Sequence, residues 1–187
     1  MSHQSVMFDE VMATLAVESD GWYIDGTFGR GGHAEGILQR LGPQGRLIVN
    51  DLDPEAIEAA RLFAAKDSRV EVLSGPYSRI ISQLPSGDIG KIRGIFLDLG
   101  VSSPQIDQAV RGFSLKHDGP LDMRMDPTQG RTAAEWLNKA SQDEIIEVLR
   151  TYGQEPYAVA IARAIVQDRA LHLFTHTHQL ASLVARI

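Results

Sequence analysis

Residues 25–33 read Asp25-Gly26-Thr27-Phe28-Gly29-Arg30-Gly31-Gly32-His33. This glycine-rich turn follows a short aromatic and β-branched run at residues 22–24 and precedes apolar residues at helical spacing. Glycine is needed where φ is positive or where a ligand approaches the backbone, and the first N–H groups of a helix attract polar ligands. The turn therefore predicts a strand–turn–helix unit with a ligand beside it, and a tight turn without a ligand stays open.

Similar units continue along the chain. Apolar runs at residues 47–49, 70–73 and 95–97 predict three further strands, and helical patterns separate them. Strands that alternate with helices are typical of a parallel sheet covered on both faces, so we predict an α/β fold. The predicted helices are Asp9–Leu15, the segment between the turn and residue 42, Pro54 to about Ala65, and a short helix with Ile80, Ile81 and Leu84.

Acidic residues close three of these strands: Asp25, Asp51 and Asp98. Right-handed crossovers place the carboxyl ends of parallel strands along one edge, where open α/β sheets bind ligands. Asp51 follows Gly31 by 20 residues, the separation at which an acid reaches the two hydroxyls of a ribose. Asp53 instead predicts the cap of the next helix. The spacing fits nicotinamide dinucleotides and S-adenosylmethionine equally well.

The second half of the chain changes character at about residue 105. Residues 105–131 are loop-like and rich in Gly, Asp and Arg, and helical signals follow. These signals are two capping boxes, an apolar stripe and a final apolar segment: Thr132–Glu135, Ser141–Glu144, residues 158–165 and Leu180–Ile187. We therefore predict that residues 1–105 form the first part of a ligand-binding α/β domain and that residues 106–187 form a loop plus an all-helical domain.

Composition excludes several classes of protein. The chain has 187 residues, 18 Lys+Arg against 24 Asp+Glu, a net charge of −6 and no cysteine. The lack of cysteine excludes disulfides and thiolate zinc sites, and it leaves His172, His176 and His178 without a matching ligand, so we predict no metal site. The net negative charge disfavours nonspecific electrostatic binding of nucleic acid, but it allows binding through a local basic patch. With no secretory signal and no apolar run of spanning length, we expect a cytoplasmic protein without membrane association.

The loop at residues 105–131 mixes charges of both signs. Such alternation predicts a mutually paired, solvated loop as readily as an RNA surface. The basic residues are Arg111, Lys116, Arg124 and Arg131, and the interspersed acids are Asp118, Asp122 and Asp126. Phe113 and Met123 or Met125 are candidates for stacking beside a splayed base, and anchoring of the loop on a core is the alternative.

Several long motifs lie beyond the glycine-rich turn. They are Asp98-Leu99-Gly100-Val101-Ser102-Ser103-Pro104-Gln105, Arg111-Gly112-Phe113-Ser114, Asp118-Gly119-Pro120-Leu121-Asp122-Met123-Arg124-Met125-Asp126, Ala133-Ala134-Glu135-Trp136-Leu137-Asn138, Tyr152-Gly153-Gln154-Glu155 and Ile161-Ala162-Arg163-Ala164-Ile165. Together with the turn, these motifs resemble the RsmH (MraW) family of 16S rRNA cytosine-N4 methyltransferases. The resemblance extends from about Val6 to the last residue.

The resemblance implies a class I methyltransferase fold, which is a Rossmann-like parallel sheet with helices on both faces, carrying an inserted all-helical domain that recognises the substrate. It implies S-adenosyl-L-methionine as the cofactor. The implied substrate is the N4 amine of one cytidine in the decoding region of 16S rRNA, in the small ribosomal subunit. The cofactor contacts that carry over are Gly31, Gly32, His33, Asp51, Tyr77, Asp98 and Gln105.

Asp98 is also the candidate catalytic residue. The exocyclic amine of cytosine is a poor nucleophile because its lone pair is delocalised into the ring. An acceptor for its N–H groups can localise that pair and take the proton. Asp98 stands at a strand end that suits this role or contact with the cofactor, and a turn cap is the alternative. By analogy with other amino-methyltransferases, the turn at residues 102–104 supplies carbonyl groups beside it.

The chain departs from the family pattern in three places. Tyr77 stands where Phe is usual, Leu52 where a basic residue is common, and Pro156 where relatives carry other residues. Family chains also continue well beyond this length, so we expect later strands and the end of the helical domain to be missing. The fourth strand would then expose residues 95–97 at a sheet edge, and we expect a less stable, inactive protein.

Three other functions stay open at this stage. The first is a methyltransferase that acts on another amine, and the second is a cofactor-binding protein without turnover. The third, a nicotinamide-dependent oxidoreductase, is disfavoured because no further dehydrogenase motif is present. The sequence does not determine the oligomeric state, and a dimer stays open.

Overall fold

The computed structural model describes residues 5–187. The chain forms two compact units, of which the first ends at Gly100 and the second is Val101–Ile187. The predicted boundary after residue 105 falls inside a short helix of the second unit, Ser103–Asp107. Every helix within residues 5–187 is too short or too polar to traverse a bilayer.

The first unit alternates strands and helices. Its strands are β1 (Trp22–Asp25), β2 (Arg46–Asp51), β3 (Val70–Ser74) and β4 (Ile92–Phe96). Its helices are α1 (Phe8–Leu15), α2 (Gly32–Leu38), α3 (Pro54–Ala64), α4 (Ile80–Gln83) and α5 (Ser86–Ile89), and a 3-10 turn spans Tyr77–Arg79. The strands pair in parallel in the order β3-β2-β1-β4. This is the order of a Rossmann-like sheet around its first strand, so the predicted α/β fold is confirmed.

Helices cover both faces of this sheet. Because side chains alternate across a strand, Tyr23, Leu47 and Val49 pack on one face with residues of α1, α2 and α3. Ile24 and Ile48 pack on the other face with residues of α4 and the segment after it. Each of these five strand side chains is at most 1% exposed. Burying one large apolar side chain stabilises a fold by about 1.5–3 kcal/mol, so these strands hold the core together.

Some element bounds differ from the sequence prediction. β4 begins at Ile92 and ends at Phe96, so Asp98 lies beyond the strand rather than closing it. The helix predicted from Ile80, Ile81 and Leu84 is also one residue too long, because α4 ends at Gln83. Leu84 leaves the helix with extended φ and ψ because a residue that precedes proline, here Pro85, avoids the helical region. The short helix α5 was not predicted, since four residues carry no apolar period.

The second unit is helical. Its helices are α6 (Ser103–Asp107), α7 (Ala133–Leu137), α8 (Gln142–Thr151), α9 (Ala158–Arg169) and α10 (Thr177–Val184), and a 3-10 turn spans Ala109–Arg111. Both predicted capping boxes form, and in the second the Ser141 hydroxyl accepts the Glu144 N–H at 3.2 Å. The loop prediction for residues 105–131 missed the 3-10 turn, and α10 begins earlier than residue 180. That this helical unit is a domain inserted in a methyltransferase fold stays a prediction.

β4 is an outer strand of the sheet. Within residues 5–187, its one strand neighbour is β1. Ile95 is 51% exposed and Leu97 is 39% exposed, as the sequence predicted, whereas Phe96 is half-buried. An unpaired apolar edge can pair with another chain, so we predict that copies of this chain associate through this strand.

Replacing the exposed edge residue tests this consequence. Ile95→Lys should weaken concentration-dependent association, because a charge on an outer strand opposes pairing. The free energy of unfolding should change by less than about 0.5 kcal/mol, as is usual for a surface position. Sedimentation velocity and urea unfolding measure the two effects. Ile81→Lys, at a residue that is 42% exposed but lies on α4, is the control. Equal association of the two variants would contradict the assignment.

Candidate functional site

The glycine-rich turn adopts backbone conformations that require glycine. Gly29 has φ 55° and Gly31 has φ 82°, both in the left-handed region. A Cβ atom on Gly31 would lie 2.7 Å from the ring of Phe28. Position 31 therefore excludes a side chain both by conformation and by space. The turn brings its main chain to the edge of the sheet without side chains in between, as the sequence predicted.

Asp51 joins this turn to the end of β2. Its Oδ2 atom accepts the Gly29 N–H at 2.8 Å, and its Oδ1 atom accepts the N–H groups of Leu52 at 2.7 Å and Asp53 at 2.9 Å. A carboxylate offers about four lone-pair sites, so Oδ2 retains capacity for a hydroxyl of a ligand. Asp53 caps α3 by accepting the Glu55 N–H at 2.9 Å, which confirms the predicted helix cap.

Asn50 is a residue of this region that the sequence analysis missed. Its side chain is fully buried at the end of β2. The Nδ2 atom donates to the carbonyl oxygens of Gly26 at 3.2 Å and Gly75 at 3.0 Å. A lone Asn after three apolar residues gives no periodic signal, and its acceptors are distant in sequence. Only the folded chain reveals these contacts.

The three predicted strand-end acids come together at this edge of the sheet. Asp25 is buried and accepts the Thr27 N–H at 3.1 Å. Burial raises the pKa of Asp25 to about 7, and the negative charges of Asp51 and Asp98 add to the rise against the lowering effect of that hydrogen bond. The carboxylates of Asp51 and Asp98 give this edge a negative potential, to which Asp25 adds only as it loses its proton near pH 7. This potential suits a ligand with cationic groups, such as a sulfonium, and disfavours the anionic pyrophosphate of a dinucleotide.

Asp98 and Tyr77 lie after two other strands of the same edge. The Asp98 N–H donates to Thr27 Oγ1 at 2.7 Å, which links the segment after β4 to the glycine-rich turn. Asp98 is exposed to solvent. Tyr77 begins the 3-10 turn after β3, and 51% of the residue is exposed, so its ring is accessible. The fold therefore brings Gly31, Asp51 and the segments that carry Tyr77 and Asp98 to one edge.

The side chain of His33 has a structural role. It is buried, its Nε2 atom donates to the Val6 carbonyl at 3.0 Å, and its ring lies between Phe8 and Phe96 at centroid distances of 6.0 and 4.4 Å. The imidazole thus fastens the segment before α1 to the end of β4. Because the side chain is occupied in this way, a cofactor would contact the backbone of His33, in the first turn of α2.

Gln105 belongs to the second unit. It is buried, and its Oε1 atom accepts the Ser102 N–H at 3.0 Å at the start of α6. The side chain therefore takes part in capping this helix. Its contact with a cofactor stays a prediction.

The charged loop of the second unit is largely paired internally. Arg111 is buried and donates to the carbonyl oxygens of Arg124 at 3.3 Å and Met125 at 2.7 Å. Arg124 forms an ion pair with Asp122 at 2.7 Å, and this hydrogen-bonded guanidinium lowers the pKa of that carboxyl group. These contacts favour the paired-loop interpretation for both arginines. Met123 is 47% exposed with φ 62°, an uncommon conformation for a side-chain-bearing residue.

Histidine and carboxylate side chains give no metal cluster in the part of the chain that the structure describes. His176 stands at the N-cap of α10, and its Nδ1 atom lies 3.0 Å from Thr175 Oγ1. His176 therefore lies at the start of a helix.

The fold is a Rossmann-like α/β sheet with an acidic edge at the carboxyl ends of its strands, where open α/β sheets bind ligands. The family model described as the MraW methylase family matches residues 1–187, and the chain belongs to this family. The family is one of methylases, and this membership is consistent with the S-adenosyl-L-methionine cofactor that the sequence predicted.

Solved structures with a similar arrangement are distant in sequence. A protein-L-isoaspartate O-methyltransferase is 15% identical with a TM-score of 0.42, over 51% of this chain and 29% of that one. A putative rRNA-methylase from Clostridium thermocellum is 14% identical with a TM-score of 0.41, over 55% and 58%. An RNA methyltransferase from Salinibacter ruber in complex with S-adenosyl-L-homocysteine is 18% identical with a TM-score of 0.41, over 59% and 67%. The matches span 29% and 58% of the first two structures.

The buried acid gives a prediction about pH. Between the unfolded pKa of 3.8 and the folded pKa of about 7, folded Asp25 holds a proton that the unfolded chain has released, so its burial costs more stability as pH rises. Asp25→Asn keeps an acceptor for the Thr27 N–H but cannot ionise. Its stability advantage over the wild type should grow by about 2–3 kcal/mol between about pH 5 and pH 8.

Urea unfolding at several pH values measures this difference. Asp20→Asn, which removes an exposed acid of the same unit, is the control and should leave the pH dependence unchanged. A parallel pH profile for Asp25→Asn and the wild type would show that Asp25 is ionised throughout this range.

Proposed function

We propose that this chain forms the cofactor-binding part of an rRNA methyltransferase that methylates the N4 amine of a cytidine in the decoding region of 16S rRNA. The observation that carries the proposal is the bond from the Gly29 N–H to Asp51 Oδ2, because it sets a ribose-binding carboxylate beside a bare main-chain turn. Membership of the MraW methylase family supports the choice of an RNA substrate.

The residues at this edge fit an adenosyl sulfonium. Asp51 Oδ2 would accept a ribose hydroxyl, and the exposed ring of Tyr77 would lie against the adenine. The backbone of Gly31, Gly32 and His33 would line the ligand where side chains are excluded by the turn. The cluster of acids offsets the positive charge that this cofactor carries. Asp98 completes the proposed set in this unit.

Asp98 is the residue proposed for the chemistry. When bound, S-adenosylmethionine supplies an electrophilic methyl group on a sulfonium. The exposed Asp98 carboxylate would accept an N–H of the cytosine amine, localise its lone pair and take the proton released on transfer. Its backbone is fixed by the 2.7 Å bond to Thr27 Oγ1, so the position of the acceptor is set before the base arrives.

The proposed partner is the small ribosomal subunit, in the cytoplasm. An enzyme that reaches a base inside folded RNA must extrude it, and the second unit is the proposed recognition element. Its exposed Met123 is a candidate to stand beside the extruded base. The chain has a net charge of −6, so the contact with RNA would rely on a local surface rather than on overall charge. No metal takes part in this proposal.

Calorimetric titration tests the cofactor site. S-adenosylhomocysteine should bind and NAD should not, because the acidic edge opposes a pyrophosphate. Gly31→Ala should weaken binding by about tenfold or more, since it strains a left-handed position and drives a Cβ into Phe28. Gly87→Ala is the matched control, because its Cβ would meet no atom within 4 Å. Tighter binding of NAD would favour an oxidoreductase instead.

Methyl transfer from tritiated S-adenosylmethionine to small subunits that lack the modification tests the catalytic role, with the complete gene product. Asp98→Asn should lower turnover by about 100-fold or more, because an amide is a poor proton acceptor. Asp20→Asn is the control. Nucleoside analysis should find the label in N4-methylcytidine. Full turnover of Asp98→Asn with unchanged cofactor affinity removes Asp98 from the mechanism, and label in another nucleoside or in protein favours another amine substrate.

A further inference from the structure

Asn50 is a polar residue in an apolar strand. It follows Leu47, Ile48 and Val49 in β2 and is 0% exposed. Burying an amide group costs free energy unless hydrogen bonds compensate it, so an apolar residue would be the ordinary occupant of this position. The hydrogen bonds of its side chain must therefore explain why an amide occupies this buried position.

The carboxamide of Asn50 connects two separate loops. Its Nδ2 atom donates to the carbonyl of Gly26, which begins the glycine-rich turn, and to the carbonyl of Gly75, which follows β3. The two acceptors fix the orientation of the amide, because the flipped amide would place Oδ1 against two carbonyl oxygens. The Asn50 side chain therefore fixes the position of one loop relative to the other.

Backbone bonds at the same strand end support this arrangement. The Asn50 carbonyl accepts the Phe28 N–H at 2.9 Å, and the Asp51 carbonyl accepts the Gly75 N–H at 2.9 Å. These bonds tie each loop to β2. The carboxamide is the additional link that ties the loops to each other.

The second loop leads directly to Tyr77. Gly75 has φ 116°, and Pro76 follows with φ −63°, a value that the proline ring fixes. A restraint on the Gly75 carbonyl is therefore transmitted to Tyr77 through a stiff residue. Loss of the Asn50 donor would remove one of the two restraints on Gly75 and loosen the position of the Tyr77 ring relative to Asp51.

The arrangement leaves one buried atom unsatisfied. Asn50 Oδ1 accepts no hydrogen bond from the residues that the structure describes. An unsatisfied buried acceptor costs about 1–3 kcal/mol, so the carboxamide is not the choice that maximises stability. Its two donated hydrogen bonds instead hold the two loops in position.

We propose that Asn50 is a positioning residue for the cofactor, which holds the glycine-rich turn and the segment at Gly75–Tyr77 at the separation that one adenosyl group requires. The inference rests on the proposed function, since it assigns Asp51 to the ribose and Tyr77 to the adenine. Asn50 acts through these two loops and does not itself touch the ligand.

A pair of nearly isosteric variants tests the donor. Asn50→Val fits a β-strand but cannot donate, whereas Asn50→Thr has the same shape with one hydroxyl donor. We expect Asn50→Val to weaken the binding of S-adenosylhomocysteine and of adenosine by about tenfold, and Asn50→Thr to retain part of the affinity. Ile48→Val is the control for stability alone. It trims a buried residue of the same strand, and we expect a lower melting temperature with unchanged affinity.

The outcomes separate the two proposals. If the wild type binds neither ligand, the proposed cofactor site fails, and this inference fails with it. If the wild type binds and Asn50→Val binds equally well, or if Asn50→Thr loses as much affinity as Asn50→Val, the positioning role alone is overturned. An equal loss of affinity in Ile48→Val would assign the effect to stability and also overturn it.

Should Asn50→Val not fold, hydrogen–deuterium exchange in Asn50→Thr gives the answer. Faster exchange of the amides in residues 26–31 and 75–79 than in the wild type, with α3 unchanged, supports the positioning role. Wild-type exchange in both segments together with wild-type affinity overturns it.

Discussion

The Asp51 carboxylate accepts backbone N–H groups from the end of its own strand and from Gly29 in the glycine-rich turn. A turn with two residues at positive φ has little reason of its own to hold one shape, because glycine loses more conformational freedom on folding than other residues. The carboxylate supplies the restraint at Gly29 from outside the turn, beside the bonds that Asn50 and Asp98 make to other residues of the turn. The position of the main chain at the sheet edge, and with it the proposed ribose contact, depends on this bond.

The electrostatics of the edge follow from the fold rather than from the total charge. Parallel strands end side by side, so acids that follow β1, β2 and β4 meet although the chain separates them widely. Burial is the main cause of the raised pKa of Asp25, and the charges of Asp51 and Asp98 add a smaller contribution. Acids with strongly shifted pKa values are typical of functional sites, and a cationic ligand would relieve the repulsion here.

Sequence reasoning succeeded where the signal was local. The strand ends at Asp25 and Asp51 and the Asp53 cap were predicted because strands, helix starts and their flanking acids occupy consecutive positions. Asn50 was missed because its partners, Gly26 and Gly75, are distant in sequence and contribute only carbonyl groups. The packing of the His33 side chain against Phe8 and Phe96 was not predicted for a similar reason, since it exists only in the folded chain. Gln105 lies in the other unit, where the sequence pattern gives no geometry.

A crystal structure of this chain with S-adenosylhomocysteine tests the central claim most directly. The account predicts a ribose hydroxyl within hydrogen-bond distance of Asp51 Oδ2 and the adenine against the ring of Tyr77, with the bond from the Gly29 N–H retained. Electron density for the ligand away from this edge, or a ribose held by other residues while Asp51 keeps only its backbone partners, would contradict it.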